Sequence, residues 1–163
     1  APAQAFELAD SLRERIGEAF PGHNIQGEEY GKTEQGSAHT WLIDPIDGTR
    51  AFMAGFPTFT ILLALLEENR QDFGAIYQPV TGECWLGHAG SPTLLNGEPL
   101  KTRDCRKWED AVFSTTSPLL FEPEYRSIIE GIMTRCKASQ LGGDAYAYGK
   151  LAAGRVKDRK SVV

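Results

Sequence analysis

The chain has 163 residues, 41% of them hydrophobic and 24% charged, which is the make-up of an ordinary soluble globular fold with room for one moderate core. Its net charge of −5, with no basic stripe, argues against nucleic acid as a bulk partner, and its longest apolar run, Ile61 to Leu66, is too short to span a bilayer. Cys84, Cys105 and Cys136 are odd in number and lack a metal-like spacing, so they read as free thiols in a reducing cytoplasm.

Along the chain, Ala3 to Phe20 is predicted to be a helix, with Ala5, Leu8, Leu12 and Ile16 on one stripe and Pro21-Gly22 as its stop. His23 to Gly31 is a loop into a short strand, and Lys32 to His39 is a polar connector. Thr40 to Ile43 is a strand, followed by a turn and a brief helix over Phe52 to Gly55. Thr58 to Leu66 is mostly apolar, as a central strand covered on both faces would be. Phe73 to Gln78, Glu83 to Gly87, Pro92 to Leu95 and Leu100 to Arg103 complete an antiparallel run, with Asn96-Gly97 as a hairpin turn. Strand and helix then alternate: Ala111 to Thr115, Glu122 to Cys136, Lys137 to Leu141 and Asp144 to Gly154. That alternation is an α/β signature. The boundary is predicted between 107 and 108, giving an α+β unit over 1–107 and an α/β unit over 108–157.

One stretch carries chemistry. Trp41-Leu42-Ile43 leads into Asp44-Pro45-Ile46-Asp47-Gly48-Thr49, so two carboxylates stand three residues apart at the exit of a buried strand. Pro45 fixes its φ and has no N–H to donate, Gly48 permits a tight turn, and Thr49 adds a hydroxyl. Two hard oxygen ligands, a main-chain carbonyl and a hydroxyl in one small volume suit a magnesium ion handling a phosphate ester. Taken alone, an Asp-x-x-Asp is usually a solvated turn; together with the acidic pair Glu28-Glu29 upstream, it reads as a metal site.

The run D-P-I-D-G-T after an apolar strand, with Gly27-Glu28-Glu29 before it, resembles the inositol monophosphatase superfamily of metal-dependent phosphomonoesterases. The resemblance implies a layered α-β-α-β-α sandwich of the inositol monophosphatase and sugar phosphatase type, and two or three magnesium ions. It implies that Glu28, Asp44 and the Ile46 carbonyl bind one ion, and that Asp44 and Asp47 share a second with an aspartate beyond this stretch. Thr49 would position the attacking water, the Gly48 and Thr49 N–H groups would hold the phosphate, and Glu29 would orient the ligands from behind. Lithium sensitivity and a homodimer are further properties the family suggests. Against its pattern, the part read here lacks a preceding helix with its acid and a later metal-binding aspartate, so the 163-residue chain is expected to be incomplete and inactive. The tail 158–163 reads as a short charged end or as non-native, being what a translated sequencing adapter gives; the second is the expectation.

Substrate choice points to Leu141-Gly142-Gly143-Asp144-Ala145-Tyr146-Ala147-Tyr148-Gly149, at a strand-to-helix junction where α/β folds place ligands. Inositol phosphatases carry Gly-Thr-Ala or Gly-Ser-Ala there; Gly142-Gly143-Asp144 resembles the histidinol-phosphate phosphatases of the superfamily, as do Thr115-Thr116-Ser117-Pro118 and Ile76-Tyr77-Gln78-Pro79-Val80. Asp144 can offer charge-assisted hydrogen bonds to the amine and imidazole of histidinol phosphate, or it can cap the last helix; the two readings are compatible. His23, His39 and His88 are scattered and carry little weight as bases, Trp41, Trp85 and Trp108 read as packing, and Arg50 either steers anions or is solvated. The expected function is magnesium-dependent hydrolysis of a small phosphate monoester, foremost L-histidinol phosphate in histidine biosynthesis. The alternatives are inositol 1-phosphate or another sugar or nucleotide phosphate, and, in a different class, a non-catalytic fragment. Neither nucleic acid nor membrane is expected as a partner.

Overall fold

The computed structural model describes residues 2–27 and 31–155, with the side chains of 2–6 left aside. Contacts divide the chain into two units, 1–99 and 100–163, taken separately below.

The first unit is a helix on a mixed sheet of eight strands. Helix α1 covers Pro2–Ala19; the strands are β1 (Asn24–Gly27), β2 (Gly31–Thr33), β3 (His39–Asp47), β4 (Thr60–Glu67), β5 (Arg70–Gln78), β6 (Glu83–His88), β7 (Leu94–Leu95) and β8 (Glu98–Pro99). A five-residue helix α2, Thr49–Met53, follows β3. The sheet order is β2-β1-β3-β4-β5-β6-β7-β8, antiparallel throughout except for the parallel pair β1 and β3. The hydrophobic core runs straight across the ladder. Ile25 lies beside Trp41, Trp41 beside Leu65, Leu65 beside Phe73, and Ile43 beside Leu63. Leu12 and Ile16 of α1 close this row, so one face of the sheet is dry and helix-covered. Trp41 and Ile43 are buried, and by strand alternation Leu42 and Asp44 point to the opposite face.

Several sequence expectations change here: Lys32 and Thr33 of the expected connector belong to β2, and the brief helix is Thr49–Met53 and not Phe52 to Gly55. β3 does not stop at Ile43 but continues through the motif to Asp47. The predicted strand over Leu100 to Arg103 is absent; the last strand of this sheet is Glu98–Pro99. The reason lies in the turn: Asn96 and Gly97 both have positive φ, 49° and 89°, so a two-residue hairpin pairs Glu98 with Leu95 at once. A second such hairpin, Glu68-Asn69 with φ 48° and 65°, joins β4 to β5.

The second unit holds a parallel pair, β9 (Val112–Thr115) and β10 (Ala138–Leu141), connected by helix α3 (Pro123–Arg135) and followed by helix α4 (Asp144–Ala152). Pro123 stands in the first turn of α3, where its missing N–H costs nothing. Arg135 lies 5.9 Å over the Trp108 ring, tying the end of α3 to the short 3-10 turn Trp108–Asp110. Among the described residues no helix is long and apolar enough to cross a membrane.

Candidate active site

The placement of Asp44 and Asp47 is decided by one extra residue. On a regular strand residues three apart point to opposite faces. Across the ladder, however, Asp44 stands opposite Leu62 and Asp47 opposite Thr60, and the register shifts between them. Three steps on β3 are matched by two on β4, which is a β-bulge over Pro45 and Ile46. Because Leu62 and Thr60 are two apart on β4 and share a face, Asp44 and Asp47 share it too, opposite the side covered by α1. Pro45 is fully buried at the bulge and, lacking an N–H, leaves no donor orphaned there.

Local hydrogen bonds then set the group. The Ile46 N–H donates to Asp44 Oδ1 at 3.1 Å, folding the first carboxylate back over the bulge. The Thr49 hydroxyl donates to the Ile46 carbonyl at 3.3 Å, and Thr49 is exposed. Gly48 has φ 81° and ψ 40°, a left-handed conformation that lets β3 turn directly into α2. The Thr60 hydroxyl donates to Asp47 Oδ2 at 3.3 Å. Two carboxylates on one face, and a main-chain carbonyl bonded by a hydroxyl in the turn beside them, are all hard oxygen donors of the kind magnesium takes. Glu28 and Glu29 lie outside the described residues; the last described pair before them sets Gly27 beside Ile43, one residue ahead of Asp44. Among the described residues no three His, Cys, Asp or Glu side chains gather as a metal cluster.

The histidines are engaged elsewhere. His23 accepts the Trp41 indole N–H on Nδ1 at 3.2 Å and stacks on His39 with ring centroids 4.6 Å apart. Burial pushes the His23 pKa below its ordinary value, and His39 adds to the effect. His39 Nε2 lies 3.6 Å from Glu67, and His88 Nε2 lies 3.5 Å from Asp72. Arg50 is exposed. Burial also raises the thiol pKa of Cys84.

In the second unit, Gly142 (φ 71°) donates its N–H to the carbonyls of Thr115 and Thr116, both at 3.1 Å, as the chain leaves β10. A Cβ on Gly143 would come within 2.8 Å of Ala147 and 3.4 Å of Ser114 Oγ, so only glycine fits. Asp144 does not cap α4: Gly143 holds the capping position, and no side chain bonds there. Instead Asp144 is the first helical residue at φ 41°, a strained conformation for a non-glycine residue, and its carboxylate accepts the Thr116 hydroxyl at 2.8 Å. An Asp in the first turn also suits the helix dipole.

Sequence reasoning missed Thr60 and named Gln78 only within the run 76–80, without a role; both are fully buried. The visible signal was one threonine directly ahead of the apolar run Ile61 to Leu66 and one glutamine after Phe73 to Tyr77.

Comparison with known proteins places these features in a family. The inositol monophosphatase family model matches residues 6–157. The chain is 40% identical over 156 residues to the chloroplastic bifunctional phosphatase IMPL2 of Arabidopsis thaliana, covering 91% of this chain and 45% of that protein. It is 29% identical to a histidinol-phosphatase of Chlorobaculum parvum, covering 90% of this chain and 57% of the relative. The structure of an inositol monophosphatase from Zymomonas mobilis superposes with a TM-score of 0.79 at 38% identity, over 91% of this chain and 57% of that one. The chain therefore spans about half the length of the relatives it matches. Its mixed sheet with packed helices is the α/β sandwich of those structures, and with a match over nearly its whole length the chain belongs to the inositol monophosphatase family.

Proposed function

We propose that this chain carries the metal-binding part of a magnesium-dependent phosphomonoesterase, and that its substrate is L-histidinol phosphate. The observation that supports the first part is the shared face of Asp44 and Asp47 across the Pro45–Ile46 bulge. Asp44, Asp47 and the Ile46 carbonyl would hold the cations together with Glu28. A bound magnesium ion would lower the pKa of a water and neutralise phosphoryl charge. The chain's own groups do the positioning. Thr49, whose hydroxyl already donates to Ile46, keeps lone pairs with which to accept from a water and so orient it. The left-handed Gly48 turns the backbone so that the N–H groups of Gly48 and Thr49 are available to a phosphate. Glu29 is proposed as a group supporting the ligands.

The substrate reading draws on the second unit and on one relative. Gly142 leaves open space as the chain exits β10, and Asp144 stands at φ 41° with its carboxylate fixed by Thr116. A fixed carboxylate suits a protonated amine better than it suits a polyol. A relative of similar chain coverage is a histidinol-phosphatase. Inositol 1-phosphate is the second reading, favoured by the close superposition on an inositol monophosphatase. The test is phosphate release from both esters, with and without magnesium, by a protein carrying this sequence at the length of its relatives. Histidinol phosphate should be turned over faster and only with the metal; a preference for inositol 1-phosphate would reject the substrate, and metal-independent turnover the mechanism.

A further inference from the structure

We infer that Thr60 is a positioning residue for Asp47. The inference rests on the proposed metal-binding role of Asp47. Thr60 opens β4 with 0% of its surface exposed, and Gln78 ends β5 with 0% exposed. A buried hydroxyl costs about 1–3 kcal/mol unless it is hydrogen-bonded, and valine would fill the same strand position without that cost. The hydroxyl has a partner: it stands directly opposite Asp47 and donates to Oδ2 at 3.3 Å. That distance is long for a hydroxyl–carboxylate bond, so its effect is to orient the carboxylate and favour its charge more than to bind it tightly. Gln78 fixes the approach to β4. Its amide donates to the carbonyls of Pro57 and Phe59, at 2.9 and 3.3 Å, and its Oε1 accepts from the Thr81 N–H and hydroxyl, at 2.6 and 3.1 Å. Phe59 in turn meets Phe52 of α2 edge-on, with centroids 4.8 Å apart. The two fully buried polar side chains therefore brace both what lies behind Asp47 and the helix that follows it. The polarity of Thr60, at the head of the run Ile61 to Leu66, has its partner in Asp47.

Partners behind a metal ligand typically change metal affinity by 10–100-fold when removed; with so long a bond, the low end is expected. A protein carrying this sequence at the length of its relatives is titrated with manganese(II), read by electron paramagnetic resonance, as parent, Thr60→Val and Thr60→Ser. Thr60→Val should bind about tenfold more weakly, while Thr60→Ser, which keeps the hydroxyl, should bind like the parent. The metal-free melting temperature of Thr60→Val should be no lower than the parent's, which separates positioning from simple loss of structure. Should Thr60→Val fail to fold, Thr60→Ala carries the same expectation. Equal affinity of the parent and the variant lacking the hydroxyl would overturn the positioning role and leave the metal site standing. A parent that binds no manganese would overturn both.

Discussion

Asp44 and Asp47 face the same side of the sheet because the bulge at Pro45 and Ile46 sets three steps of β3 against two of β4. A strand without that bulge would turn one of the two carboxylates into the row of Trp41, Ile43 and α1. The chemistry proposed for this chain therefore depends on a local irregularity that a proline makes tolerable.

Asp44→Asn tests the carboxylate pair. The amide can still accept the Ile46 N–H, so the fold should persist. The charge is lost, and cation affinity and turnover should fall, turnover by about 10²-fold or more in a protein of full family length. Without metal the variant should melt at or above the parent temperature, because like carboxylates sharing a site repel. Retention of more than about a tenth of the parent rate at saturating magnesium would remove Asp44 from the mechanism.

Gly48→Ala probes the turn. At φ 81° a side chain costs about 1–2 kcal/mol, which urea unfolding should detect as a lower midpoint with unchanged slope. An unchanged midpoint would mean that the left-handed turn is not held in solution.

Ile43→Ala probes the dry face. Ile43 is 3% exposed in the row that α1 covers, and truncation there should cost about 2–5 kcal/mol, against about 0.5–1.5 for Ile43→Val. Equal losses for the two variants would mean that the site collapses around the cavity.

The His23 stack makes stability depend on pH. Its folded pKa lies below the ordinary 6.5, through burial first and His39 second, while the unfolded chain titrates near 6.5. Below pH 6.5 the unfolded state therefore binds more protons, so this contribution is complete above that pH and lost as pH falls toward the folded pKa. Protonation would also break the acceptor role of Nδ1 toward Trp41 and place charge beside His39, which itself faces Glu67. Thermal melts from pH 7.5 to 5 should show a steeper loss in the parent than in His23→Gln, which cannot titrate. Parallel curves would assign the pH dependence to other groups.

Much of this protein was written locally. The stripe of Leu8, Leu12 and Ile16 marked α1, the apolar run marked β4, and Asn96-Gly97 marked a hairpin, because a residue's own φ preference and the 3.6- and 2-residue periods act over a few neighbours. The motif residues were legible for the same reason: proline, glycine and paired carboxylates lie next to one another. What lay beyond a few neighbours was decided by pairing. No local period says that β1 runs parallel to β3, that β3 continues through its proline with a bulge, or that Asp47 lies opposite Thr60. Nor does the residue type of Asp144 tell a cap from a strained first helical residue bonded to Thr116, 28 positions away. Register joins residues distant in sequence, and only the folded sheet decides which face of it each side chain occupies.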